Sequence, residues 1–128
     1  MSKEVSQVAP SKKVLIVEDD PDSQEAFSAA IGDAGFDVMA VKDGREALTY
    51  LRGGGRADAI LLDLMMPRMD GWQFRRRQLA DEKIAGIPVI VVSAARIARG
   101  SALGFGAATF LGKPVHFDDL LGAIAAVT

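Results

Sequence analysis

Cysteine is missing altogether from these 128 residues, and histidine, tryptophan and tyrosine occur once each. Without cysteine, neither a disulfide framework nor a thiolate zinc site can exist. The one histidine, His116, stands two residues after Pro114 at a loop-to-helix junction. A phosphocarrier histidine would sit on an exposed bundle helix, so His116 reads as a structural or surface residue. No uninterrupted apolar stretch reaches the roughly 18–20 residues needed to span a bilayer. The opening Met1-Ser2-Lys3-Glu4-Val5 has no apolar signal core. Excess positive charge is lacking too: 15 Lys and Arg against 17 Asp and Glu leave a net charge of −2, which argues against nucleic acid as a bulk electrostatic partner. These absences predict a soluble, cytoplasmic chain with no direct nucleic-acid or membrane contact. Its length fits one domain with a core of its own.

What the chain does have is a rhythm of short apolar runs. Residues 1–11 carry no periodicity and contain Pro10, so they read as a flexible lead-in; the folded domain spans 12–128. Strands are predicted at about 13–18, 36–41, 58–63, 88–93 and 108–112. The fourth, Pro88-Val89-Ile90-Val91-Val92-Ser93, is almost wholly β-branched, as a strand buried on both faces should be. Asp20 followed by Pro21 starts a helix that presents Phe27, Ala30, Ile31 and Ala34 on one side and stops at Gly35. Asp43 and Glu46 give a weaker capping signal for a helix ending before Gly53-Gly54-Gly55. Pro67 and Gly71 punctuate a loop, and a helix follows from about Trp72 to Asp81. Residues 95–106 are helix-like but interrupted by Gly100, Gly104 and Gly106, so that helix should be short or loosely held. A last helix over about 117–127 carries Phe117, Leu120, Leu121, Ile124 and Val127 inward. Five strands alternating with five helices over short connections predict an α/β fold, a doubly wound five-stranded parallel sheet covered on both faces by right-handed crossovers.

Charged groups end three of these runs. Glu18 and Asp19 follow Val14-Leu15-Ile16-Val17, Asp63 follows Ala59-Ile60-Leu61-Leu62, and Lys113 follows Thr109-Phe110-Leu111-Gly112. Open parallel sheets place their sites at the C-terminal tips of their strands. Acids from separate strands that meet there favour a hard divalent cation, and a nearby lysine favours an added anion. Together they suggest a metal-dependent phosphoryl acceptor.

The chain resembles the receiver domain of response regulators, similar to the single-domain chemotaxis regulators, over about residues 12–127. The resemblance is carried by the acid pair Glu18-Asp19, by Asp63 with Met66-Pro67 and Asp70-Gly71 behind it, by Ser93-Ala94 and by Lys113-Pro114, all in order and each at a strand end. It implies the flavodoxin-like (βα)5 three-layer α/β/α sandwich. It implies a two-component phosphorelay function in which Asp63 accepts a phosphoryl group from a phosphohistidine on a sensor histidine kinase, with Mg²⁺ as cofactor. Asp19 and Asp63 are the expected direct carboxylate ligands, Glu18 is expected to act through water, and the Met65 backbone carbonyl completes the protein's share. Lys113 and Ser93 would hold the phosphoryl oxygens. Ser93 and Phe110 would form the switch, Phe110 turning inward as the 95–127 face changes shape to control a downstream protein or output domain. A cis peptide between Lys113 and Pro114 is also implied. Such a domain is not a turnover enzyme; it catalyses only its own phosphorylation and slow dephosphorylation.

Plainer roles suit other residues. Asp20 and Asp43 read as solvated helix caps, Arg75-Arg76-Arg77 as a solvated helix face, and Trp72 as packing near the start of its helix. Transcription-factor receivers dimerise through charges on the fourth helix, fifth strand and fifth helix. Arg96 and Arg99 are present here, but Ala107-Ala108 replace the usual acid pair, which favours a monomer. The chain could equally be a receiver from a longer transcription factor or hybrid kinase. An FMN-binding flavodoxin-like carrier shares the topology but would need a hydroxyl- and glycine-rich loop where this chain has Glu18-Asp19-Asp20-Pro21-Asp22. An aspartyl-phosphate phosphatase of the haloacid-dehalogenase type needs a second aspartate at position 65, which is methionine.

Overall fold

The structure, a computed structural model, describes residues 11–66 and 68–128. Pro67 and all but the last residue of the 1–11 lead-in lie outside that range. Five strands, β1 (Lys13–Val17), β2 (Asp37–Val41), β3 (Ala59–Asp63), β4 (Val89–Ser93) and β5 (Thr109–Gly112), alternate with helices α1 (Pro21–Asp33), α2 (Gly44–Arg52), α3 (Gly71–Leu79), α4 (Arg99–Gly104) and α5 (Phe117–Val127). A 3₁₀ turn over Arg96–Ala98 leads into α4. The sheet is parallel throughout, in the order β2-β1-β3-β4-β5. The expected doubly wound architecture is present, with strand boundaries within one residue of those read from the sequence, while the helix-like 95–106 stretch divides into the 3₁₀ turn and an α4 that starts only at Arg99.

Alternation along the inner strands divides the core in two. Leu15, Val17, Ile60, Leu62, Val89 and Val91 face α2, α3 and α4 together with Leu48, Leu51, Phe74 and Ala102. Val14, Ile16, Leu61, Ile90 and Val92 face α1 and α5 through Phe27, Ile31, Leu120 and Ile124. All five residues of β3 and of β4 are buried, which is why these runs read as continuous apolar segments. The edge strand β2 is only partly covered, and its sequence is correspondingly more mixed.

The helix ends obey local chemistry. Asp20 accepts a bond from the Ser23 N–H at 2.9 Å with Pro21 in the first turn. Asp43 accepts from Arg45 and Glu46 N–H, and Glu46 in turn accepts from Lys42 N–H. Asp70 and Gln73 form a reciprocal capping box at the start of α3. α4 is short, as its glycines suggested, and ends in a Schellman turn: Gly106 N–H bonds the Leu103 carbonyl at 3.0 Å and Ala107 N–H that of Ala102 at 3.1 Å. That turn places Gly106 at φ +85°, a left-handed conformation that glycine adopts without steric cost.

Four sequence expectations need correction. Asp43 is a cap but not a solvated one, because it is 2 % exposed and Arg68 reaches it at 3.2 Å. Ala34 is the exposed C-cap of α1 rather than part of its inner face. Phe117 is 43 % exposed, its ring meeting Phe27 edge-on at 6.4 Å instead of entering the core. Arg76 and Arg77 are solvated but Arg75 is buried. The Arg75 Nε donates to the Phe105 carbonyl at 3.2 Å, Nη2 to that of Gly106 at 3.1 Å, and Nη1 to Gln78 Oε1 at 2.6 Å. Charge periodicity could not separate Arg75 from its two neighbours, since its two carbonyl acceptors lie about thirty residues away.

At the N-terminal edge of the sheet, Asp58 accepts the Lys13 N–H at 2.7 Å and pairs with Arg56 at 3.1 Å. The Lys13 bond, aided by Arg56 and opposed by partial burial, holds the Asp58 carboxyl below its ordinary 3.8. A carboxylate with a lowered folded-state pKa contributes stability that is fully present above 3.8 and is lost as pH falls through the folded value. Asp58→Asn is expected to flatten the acid limb of stability against pH, measured as the denaturant midpoint from neutral pH to below 3.8. Parallel acid limbs for the two proteins would contradict this.

Candidate functional site

Parallel register brings the C-terminal ends of the strands to one level. Val17 pairs with Leu62, Asp63 with Val92, and Ser93 with Gly112. The residues at or just past these ends, Glu18, Asp19, Asp63, Ser93 and Lys113, therefore gather along one edge. Carboxylate oxygens of Glu18, Asp19 and Asp63 all lie within 4.8 Å of one another. The Lys113 ammonium donates to Glu18 Oε1 at 2.9 Å and reaches Asp63 Oδ2 at 3.5 Å. One cation thus joins carboxylates from two strands.

Burial sets the electrostatics. Glu18 is 1 % exposed and Asp63 4 %. Desolvation pushes the Glu18 carboxyl above its ordinary 4.5, the Asp63 charge pushes the same way, and the Lys113 bond pulls back only part of the shift. Burial works against the Lys113 ammonium, yet the Glu18 bond and the Asp63 charge outweigh it and leave its pKa raised. The site is a set of acids held close with less positive charge than they can use. Glu18 has both oxygens engaged, the second accepting the Asp20 N–H at 3.2 Å. Asp63 Oδ1 accepts the Met65 N–H at 3.2 Å, so Met65 turns back on the Asp63 carboxylate while its side chain stays exposed.

The remaining candidates are placed as follows. Ser93 is fully buried, its Oγ accepting the Ala95 N–H at 3.1 Å, and its carbonyl accepts the Lys113 N–H at 2.9 Å. The Lys113–Pro114 peptide is cis. Phe110 lies apart from the acids, 4 % exposed in the core layer beneath α4. His116 is the exposed N-cap of α5 and makes no side-chain capping bond. Trp72 packs its ring on Phe105 at 6.0 Å. Arg99 donates to the Phe110 carbonyl at 3.3 Å.

Two contributors escaped the sequence reading. The Gln24 amide donates to the Glu18 carbonyl at 3.1 Å and to the Val41 carbonyl at 3.0 Å, tying the acid-bearing loop to the end of β2. A glutamine on an exposed helix turn gives no such signal in sequence. Gly71 was read only as punctuation, but a Cβ there would lie 2.6 Å from the Asp63 carbonyl oxygen and 2.8 Å from the Leu64 Cα. The start of α3 therefore rests against the backbone of Asp63 and Leu64.

A family model, the response regulator receiver domain, matches residues 14–125. The chain belongs to that family. Among curated receiver-containing proteins, the transcriptional regulatory protein HprR of Escherichia coli K12 is 35 % identical over 116 residues, covering 89 % of this chain and 50 % of HprR. The DNA-binding dual master transcriptional regulator RpaA of Synechocystis is 33 % identical over 117 residues, 90 % of this chain and 48 % of RpaA. This receiver thus spans about half the length of those relatives. Among solved structures, the chemotaxis protein CheY4 of Vibrio cholerae superposes with a TM-score of 0.84 at 28 % identity, covering 93 % of this chain and all of CheY4. A response regulator receiver protein from Pseudomonas putida gives 0.85 at 29 % identity, covering 93 % and 99 %. Fold and family are therefore those of a two-component receiver, and an acidic cluster of the kind receivers use for Mg²⁺ is in place. No helix among the described residues is long and apolar enough to cross a membrane.

The Gly71 contact yields a direct test. Gly71→Ala must displace backbone on both sides of the new methyl group, so it is expected to destabilise the receiver by about 1–3 kcal/mol and to weaken Mg²⁺ binding beside Asp63. Denaturant unfolding and a metal titration read these effects. A variant as stable as the parent would show that α3 does not press on Asp63.

Proposed function

We propose that this receiver takes a phosphoryl group onto Asp63 from a phosphohistidine of a sensor histidine kinase and so controls a partner protein or output domain. The observation that carries the reading is the Lys113 ammonium lying between carboxylates of Glu18 and Asp63 from separate strands. In the transfer, an Asp63 carboxylate oxygen forms a bond to phosphorus as the phosphorus–nitrogen bond breaks. The imidazole leaves with the electron pair. Lys113 and the Ser93 hydroxyl hold the equatorial oxygens as their charge develops.

Three hard oxygen donors within 4.8 Å of one another suit Mg²⁺. Asp19 and Asp63 would hold it, with the Met65 carbonyl; Glu18, whose two oxygens are already engaged, fits a water-mediated role. When bound, the ion supplies positive charge to the acid cluster and the incoming phosphoryl oxygens. The domain has no other turnover chemistry, and its place is the cytoplasm, where kinase and target meet. Arg99, directed at the Phe110 carbonyl, and Ala107-Ala108 favour a monomer. Phe110 is already inward here, and Ser93 and Phe110 form the switch through which the 95–127 face changes shape.

Asp63→Asn is expected to abolish labelling by acetyl phosphate or a sensor kinase, because an amide is not a nucleophile. Asp19→Asn is expected to weaken Mg²⁺ binding while leaving the fold intact. Undiminished labelling of Asp63→Asn would sink the assignment.

Loss of the phosphoryl group needs a water in line with the new bond. The residues two beyond the acceptor and two beyond the hydroxyl are Met65 and Ala95, and neither side chain can orient that water. The phosphoprotein is therefore expected to outlast those of receivers with polar residues at these positions. Met65→Asn with Ala95→Glu should quicken decay by about tenfold, roughly 1.4 kcal/mol in barrier. A radiolabel chase checks both proteins, and equal decay would refute the idea.

A further inference from the structure

Arg75 is a buried cation that phosphoryl transfer does not use. It is 7 % exposed and has no carboxylate partner among the described residues. Burial pulls its guanidinium below the ordinary range. Burying an unpaired charge is costly, and a leucine or methionine would fill the space more cheaply. What the charge gains is three directed donors. Two hold the Phe105 and Gly106 carbonyls just past α4, and the third holds Gln78. The Gln78 amide passes the chain on to the Ile84 and Ile87 carbonyls, at 2.9 Å and 3.0 Å, in the segment that leads into β4.

The other end of α3 meets the acceptor. Gly71 N–H donates to the Leu64 carbonyl at 3.1 Å, no atom fits between Gly71 and the Asp63 backbone, and the Asp70–Gln73 capping box fixes the first turn. Trp72, three residues before Arg75 and so on the same face, lays its ring against Phe105. A helix of nine residues, roughly 13 Å long, therefore touches the acceptor backbone at its start and grips the α4–β5 turn from its middle. That turn leads four residues on to Phe110.

We propose that Arg75 is a positioning residue of the response: with Trp72 it makes α3 a strut through which a change at Asp63 reaches the Phe105–Gly106 turn, alongside the Ser93–Phe110 route. The proposal rests on Asp63 being the acceptor. Rigid elements with fixed contacts at both ends carry such coupling when the far element has two arrangements. α4 is suited to be that element, being six residues long and entered through a 3₁₀ turn.

The test is amide shift mapping of the full chain on adding beryllofluoride with Mg²⁺, for the parent, Arg75→Met and Arg75→Lys. Shifts at Met65 and Lys113 report occupancy of the site. In the parent, Phe105, Gly106 and the Trp72 indole are expected to respond. At equal occupancy, Arg75→Met should lose at least half of the Phe105–Gly106 response while Phe110 keeps its own. Arg75→Lys, with one ammonium for a fork of donors, should fall between; it also carries the comparison if Arg75→Met does not fold. A purely structural role would lower the melting temperature and leave the response per occupied site unchanged, which would overturn the proposal. So would a parent that shifts at Met65 and Lys113 but not at Phe105 or Gly106. A parent that shifts at none of these positions would overturn the Asp63 reading and this one with it.

Discussion

The crowding of buried acids at the strand ends is the constraint on which the rest of this molecule depends. Glu18 and Asp63 are almost wholly removed from water, and each would be far more stable in solvent. Lys113 offsets part of the cost, and the backbone N–H groups of Asp20 and Met65 offset a little more. For Glu18 burial outweighs these contacts and holds its carboxyl above the ordinary value. A site in that condition gains from any cation that enters it and, once a cation is present, from an anion between that cation and Lys113. Responsiveness follows from incomplete neutralisation. A perfectly paired cluster would have little to gain from either.

Holding such a site requires a rigid frame, and the frame is the parallel sheet. A one-residue slip in any of the inner strands would exchange its two faces and carry a strand-end side chain of the acidic cluster away from its neighbours. The two apolar layers prevent it, because every residue from Val14 to Val17 and from Ala59 to Leu62 is buried on one side or the other. Gln24 adds a local tie, fastening the acid loop of β1 to β2. The folding core and the phosphoryl site are thus the same strands seen at different heights.

Much of this was legible in sequence for a physical reason. Continuous β-branched runs, Asp-Pro at a helix start and charged residues directly after apolar runs are local signals, each confined to a few neighbouring residues. They sufficed for all five strands, for the helix order and for placing Asp19, Asp63, Ser93 and Lys113 at the strand ends. What escaped was set by partners far along the chain. Arg75 looked like its two solvated neighbours because its acceptors are Phe105 and Gly106. Asp43 looked like an open cap because Arg68 covers it from another loop. Gly71 looked like a turn residue because the Asp63 backbone that leaves it no room for a methyl group is brought there only by the fold. Phe117 failed in the opposite sense: its helical period points it inward, but the aromatic edge of Phe27 stops it at the rim.

These long-range exceptions are not scattered. Asp43, Arg68, Gly71, Arg75 and Gln78 all lie on or against the loop and helix that follow the acceptor. The opposite layer, α1 and α5, has three departures, Ala34, Phe117 and Gln24, of which only Gln24 makes a long-range polar contact. Local pattern is enough to build a helix that merely covers a sheet. A helix that, as proposed for α3, also registers the state of a carboxylate at one end and holds a distant turn from its middle needs polar contacts inside the core, and such contacts break local rules. Gln24 apart, these long-range polar contacts lie in the layer containing α3. The proposed strut would need such contacts, and Arg75 and Gln78 supply them from α3.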